Sequence, residues 1–94
     1  MSDERSANDP RFRRRDGCPS RWFRGSVLVA DPSGAFHAVD GASALAWDGL
    51  DRPGTVDEVA ARIGARWGRA DLGDGGVAGG IALLLSAGLV EAVE

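Results

Sequence analysis

The hydrophobic pattern changes period several times along the chain, and each change marks an element. Val27-Leu28-Val29-Ala30 is a short unbroken apolar run with two β-branched residues, the composition of a buried strand. Asp31-Pro32-Ser33-Gly34 follows directly. Proline presets the φ needed at the second turn position, and glycine tolerates positive φ near the turn's end. Ala35-Phe36-His37-Ala38-Val39 is the next strand, so the two runs predict a β-hairpin. A further strand is expected within residues 11–23, where Phe12, Trp22 and Phe23 supply apolar positions and Asp16-Gly17-Cys18-Pro19 breaks the pattern.

From Asp40 onward the period becomes helical. Ala42, Leu45, Ala46 and Leu50, with Trp47 beside them, form one apolar face, and Asp40 is placed as the N-cap whose carboxylate accepts free helix amides. Asp51-Arg52-Pro53-Gly54 ends that helix. Thr55-Val56-Asp57-Glu58 is a capping box, and Val56, Val59, Ala60, Ile63 and Trp67 continue at i, i+3, i+4, i+7. Residues 68–76 read as a glycine- and aspartate-rich loop. A third helix is expected over residues 77–87, with Ile81, Leu84 and Leu85 at core spacing and Gly88 as its C′ residue. Gly79-Gly80 costs that helix about 1 kcal/mol per glycine relative to alanine. Close approach of another backbone would explain the pair, and drift in a glycine-rich sequence would explain it equally well. Leu89, Val90 and Val93 close the chain as a short extended segment.

The predicted architecture is α+β: an N-terminal β-hairpin or three-stranded sheet followed by three α-helices, a winged helix-turn-helix-like layout with the hairpin first. Residues 1–10 are polar and aperiodic and are expected to be a disordered tail, leaving residues 11–94 as one domain.

Composition narrows the function. In 94 residues there are one His and one Cys, no Tyr, and all eleven basic residues are arginine. Cys18 and His37 cannot supply four zinc ligands, and a single cysteine forms no intrachain disulfide. No nucleophile–base pair is apparent, so a non-catalytic protein without metal or cofactor is expected. Asp71 and Asp74 echo a calcium loop but lack its ligand pattern and closing Glu. Seven arginines precede Gly25 against four acids; from Gly25 on, four arginines face ten acids. A basic arm of this kind can bind nucleic acid or an acidic partner, but it is read first as a solvated tail or a charged edge strand. No signal peptide or membrane-length apolar run is present, so a cytoplasmic location without membrane contact is expected.

The order and spacing of these features resemble the PqqD-like family, also called RiPP recognition elements. The hairpin VLVADPSGAFHAVD, the stretch GASALAWDGLDRPGTVDEVAARI and the ending GIALLLSAGLVE carry the likeness. Asp40 precedes the small-residue helix, Trp47 lies late in it, and Gly54, Thr55-Val56-Asp57-Glu58-Val59, Leu84 and Gly88-Leu89-Val90 follow in family order. The resemblance implies a precursor-peptide chaperone of natural-product biosynthesis. Such a domain binds the leader segment of a ribosomally made peptide and presents it to a modifying enzyme, often a radical-SAM enzyme. The leader adds as a strand to the hairpin edge beside the third helix. The expected peptide-binding residues are therefore Ala35, Phe36, His37, Ala38 and Val39 on the strand, and Gly80, Ile81, Leu84 and Leu85 on the helix.

Alternation separates Phe36 and Ala38 from Ala35, His37 and Val39 without saying which set faces the core. Phe36 is read as core filler ahead of peptide contact, and His37 as a surface or edge residue. The third helix carries no charge between Val77 and Ala87, which suits a greasy groove or burial against a second subunit in a homodimer. The same helix offers no Arg, Lys, Asn or Gln to read bases, so a winged-helix nucleic-acid-binding protein would depend on the arginine arm alone. A second alternative is an enzyme-docking subunit that binds no leader. Trp47 and Trp67 are read as core residues, Cys18 as a free thiol, and Trp22 as the tryptophan of a partner interface.

Overall fold

The protein is described from a computed structural model covering residues 10–68 and 73–93. Its strands and helices follow the order β1 (Arg11–Arg14), β2 (Ser20–Phe23), β3 (Ser26–Ala30), β4 (Phe36–Val39), α1 (Gly41–Gly49), α2 (Val56–Trp67), α3 (Gly73–Ser86) and β5 (Val90–Val93). β2, β3 and β4 form an antiparallel sheet with β3 in the middle. β1 and β5 form a separate antiparallel pair that joins the two ends of the described chain. The fold is α+β, with small antiparallel sheets and three helices.

The predicted hairpin is present, with Val27 opposite Val39 and Ala30 opposite Phe36. Its turn is held by Asp31. The carboxylate accepts bonds from the Ser33 N–H (2.9 Å), the Ser33 hydroxyl (2.6 Å) and the Ala35 N–H (3.1 Å). The predicted strand within residues 11–23 is two strands, separated by the Asp16–Pro19 break. β1 does not read as a strand because only one of its two inward positions is apolar. Phe12 packs on the core, while Arg14 lays its guanidinium 4.4 Å over the Trp47 ring and donates to the Trp47 carbonyl at 2.7 and 3.1 Å. Arg13 and Arg15 pair with Glu91 of β5, and Arg11 with Glu58. Much of the basic arm is thus a charged strand paired to the C-terminal one; the part before residue 10, including Arg5, lies outside the described residues.

α1 begins at Gly41, and Asp40 is its N-cap, but its carboxylate makes no capping bond. The reason is Gly41, whose φ of +59° turns the first helical residue left-handed and takes the Asp40 side chain away from the free amides. α2 carries the full capping box: Thr55 Oγ1 accepts from the Glu58 N–H at 3.2 Å, and Glu58 Oε1 accepts from the Thr55 N–H at 2.9 Å. Val59 and Ile63 are buried, whereas Trp67 is 47% exposed instead of filling the core. Its indole N–H donates to Asp48, and its ring meets Trp22 at 5.7 Å between centroids. Helical phase alone put Trp67 inside, but it falls on the last residue of α2, where the core has ended.

α3 starts at Gly73, earlier than expected, so residues 73–76 of the anticipated loop are helical. Asp71 lies outside the described residues. Gly88, at φ +75°, ends α3 in a Schellman arrangement, with Gly88 N–H to Leu85 O and Leu89 N–H to Leu84 O, both at 3.0 Å. Val77, Ile81 and Leu84 face the core, together with Val27, Val29, Val39, Trp47, Leu50 and Leu89. α1 crosses α3 at Gly80, where an added Cβ would lie 2.8 Å from the Ala42 carbonyl oxygen and 3.1 Å from the Ser43 nitrogen. Close approach explains Gly80. It does not explain Gly79, which meets nothing within 4 Å.

Candidate functional site

Among the described residues β4 is an edge strand: it pairs with β3 and with no strand on its other side. Which of its backbone groups face the open side follows from the hairpin. The Asp31 N–H donates to the Ala35 carbonyl at 2.8 Å, and the Ala30 N–H points away from β4, to the Pro19 carbonyl. Antiparallel pairs alternate between bonded and non-bonded, so His37 and Val39 spend their N–H and C=O groups on β3. Phe36 and Ala38 direct theirs outward. The edge therefore offers two donors and two acceptors at the spacing of a strand.

Beside this edge is a groove of about 610 Å³ between β4 and α3, with the start of α1 closing one end. This is the size of a typical ligand pocket. His37, Ala38 and Val39 form one wall. The other is the α3 face made of Gly76, Gly79, Gly80 and Leu83, continued by Ala87 just past the helix, with Leu84 and Leu89 deeper. Glycine and alanine at helical spacing leave this face without side chains, and that gap is the groove. Leu83 is 65% exposed at its rim. Asp40 is the one carboxylate on the lining among the described residues, and it makes no capping bond to α1.

Of the nine expected site residues, the groove brings together His37, Ala38, Val39, Gly80 and Leu84. Ala35 lies in the hairpin turn and off the lining. Phe36 is 71% exposed on the opposite face of the strand, so it is not core filler. Ile81 is buried in the core, and Leu85 is exposed away from the groove. Leu83 was missed because the apolar stripe was phased on residues 81, 84 and 85. Phasing on Val77, Ile81 and Leu84 puts Leu83 on the groove side with Gly76, Gly79 and Ala87.

His37 occupies the inner face near the turn, and its Nε2 lies 2.8 Å from Asp31 Oδ2. An ionised carboxylate only accepts, so Nε2 carries the proton. The Ser33 hydroxyl first, and His37 second, hold the Asp31 carboxyl well below the usual carboxylate range. A carboxyl depressed in the folded state stabilises above the unfolded value of about 3.9, and that contribution is lost as pH falls below it. Asp31→Asn is therefore expected to lower stability at neutral pH and to flatten the acid limb. Urea midpoints of the two proteins should stay apart above about pH 4 and draw together progressively as pH falls below it; parallel profiles would show that Asp31 does not carry this dependence.

Two further features lie outside the groove. Trp22 and Trp67 flank a second cleft of about 430 Å³ against Gly41, Ala44 and Leu45 of α1. Cys18 is half-buried against the core, and burial pushes its thiol up, lowering the thiolate fraction at neutral pH. No helix among the described residues is long and apolar enough to cross a membrane. Comparison with protein families, characterised proteins and solved structures finds no match to this chain.

Proposed function

We propose that residues 11–94 form a PqqD-like, winged-helix-type domain that binds the leader segment of a precursor peptide by strand addition to β4. The observation that carries this reading is the coincidence of the open β4 edge with the apolar groove along α3. Backbone bonds from Phe36 and Ala38 would supply sequence-independent affinity, and the groove would select every second side chain of the guest. His37, Ala38, Val39, Gly80 and Leu84 contribute to it as the family resemblance implies, joined by Leu83. The domain's role would be non-catalytic and cytoplasmic: to hold the leader while a modifying enzyme, of the radical-SAM type in many such systems, works on the rest of the peptide.

The nucleic-acid alternative draws less support. Arg11, Arg13 and Arg15 face acids, Arg14 is committed to Trp47, and Arg66 bonds Asp48 and Asp51. Arg62 is spent on the carbonyls of Gly49, Arg52 and Pro53. Few of the described arginines remain for phosphates.

The test is titration with the leader peptide of a precursor encoded beside the gene, followed by amide NMR. Shifts are expected to concentrate on residues 36–40 and on the 76–87 face of α3. Absence of binding, or shifts confined to β1 and β2, would overturn the reading.

A further inference from the structure

The same edge borders a second surface. The face of the β2–β3–β4 sheet turned away from the core carries Phe23, Leu28 and Phe36, which are 67, 43 and 71% exposed. Register places Leu28 opposite Ala38 and Ala30 opposite Phe36, so Leu28, Phe36 and Ala38 share that face. Val27, Val29 and Val39 point the other way and are buried. Exposed edge strands are ordinarily protected by charge or proline. β4 instead presents a phenyl ring on its outer face and a methyl group beside it.

Strand geometry fixes what would lie next to that ring. A guest strand must bond to Phe36 and Ala38, because theirs are the outward backbone groups. The guest residues directly opposite them project onto the outer face, against Phe36 and Ala38 and toward Leu28. The guest residue between them projects the other way, into the groove. The outward guest residues thus meet apolar side chains, and the inward one passes His37 into a groove whose wall is mostly glycine, alanine, valine and leucine.

We propose that the peptide recognised at β4 is apolar on both faces, a continuous run of apolar residues instead of an alternating one, with Phe36 selecting the outward-facing positions. This inference rests on the strand-addition reading above. It makes Phe36 a specificity residue although it lies outside the groove.

The test needs no known ligand. Randomised peptides of about ten residues, the upper end of ordinary strand length, are displayed on phage and selected against the full chain and its Phe36→Thr and Ala38→Pro variants. Threonine keeps β propensity while removing the ring. Wild type is expected to enrich unbroken apolar runs, and Phe36→Thr to enrich alternating apolar and polar residues. A synthesised run peptide should bind Phe36→Thr about fivefold more weakly, the effect of one aromatic cross-strand pair. Ala38→Pro should enrich neither class. Alternating peptides on wild type, or the same profile on wild type and Phe36→Thr, would overturn this inference and leave strand addition standing. No enrichment on wild type, or equal enrichment on Ala38→Pro, would overturn both. A wild-type dimer in sedimentation that Phe36→Thr dissolves would assign the outer face to a second copy, against the proposal.

Discussion

Gly80→Ala is expected to destabilise the protein by about 2 kcal/mol, in a helix where alanine is ordinarily the better residue. The new methyl would stand 2.8 Å from the Ala42 oxygen, 2.9 Å from its carbonyl carbon and 3.1 Å from the Ser43 nitrogen. All three are backbone atoms, so α1 must move bodily away from α3, and no rotamer change relieves the clash. Overpacking of this kind costs about 1–3 kcal/mol, here toward the upper end, and the gain in helix propensity of about 1 kcal/mol offsets part of it. Gly79→Ala is the built-in contrast. Its methyl meets nothing within 4 Å, so propensity alone should raise stability by up to about 1 kcal/mol while narrowing the groove. Urea denaturation of the two variants checks both signs. Equal effects at the two positions would mean that α1 and α3 do not cross at Gly80.

Arg14→Ala is expected to cost about 2–3 kcal/mol, more than its place in an arginine run suggests. Its guanidinium donates twice to the Trp47 carbonyl near the end of α1 and stacks on the Trp47 ring. Charge-assisted bonds to a part-buried carbonyl contribute about 1.5–3 kcal/mol, and the stacked cation adds to them. Burial lowers the Arg14 pKa from its ordinary value, so the contacts must offset a desolvation cost. Arg14→Lys should recover only part of the loss, because an ammonium has neither the fork nor the flat face. Arg13→Ala, which removes an exposed pair with Glu91, should change stability far less. Thermal unfolding of the three variants gives the ranking. An Arg13→Ala loss as large as that of Arg14→Ala would contradict it.

These two residues also show why parts of the fold were legible in the sequence and others were not. The hairpin and the second helix announce themselves through local chemistry: an Asp-Pro-Ser-Gly turn, a Thr-to-Glu capping box, an apolar stripe of period 3.6. Each signal acts over a few residues and needs no distant partner. The β1–β5 pair depends on a partner almost eighty residues away, and its inward Arg14 breaks the alternation by which a strand is recognised. Asp40 has a capping residue's identity without the function, because Gly41 reverses the backbone immediately after it.

The candidate site was legible in outline and blurred in phase. The strand edge and the neighbouring helix were predicted together, and they do border one groove. The assignment of Ile81 and Leu85 to its wall failed because a helix that is apolar all round gives hydropathy no direction. α3 has leucines at 83, 84 and 85, and only packing decides that Leu84 goes inward, Leu83 to the groove rim and Leu85 to the outside. The glycines carried more information than the leucines. Gly76, Gly79 and Gly80 mark the side of the helix from which bulk is missing.

In the proposed binding mode, β4 would receive a peptide strand through the outward N–H and C=O groups of Phe36 and Ala38. Ala38→Pro removes one of those donors and puts a ring in the path of the guest, yet breaks no bond to β3. The direct measurement is the affinity of a fluorescently labelled leader peptide for wild type and Ala38→Pro, with the melting temperature of each recorded alongside. About a tenfold or greater loss of affinity is expected at nearly unchanged stability, since the lost backbone bond contributes about 1 kcal/mol and the proline ring blocks the guest's approach as well. Undiminished binding to a folded Ala38→Pro protein would contradict this binding mode.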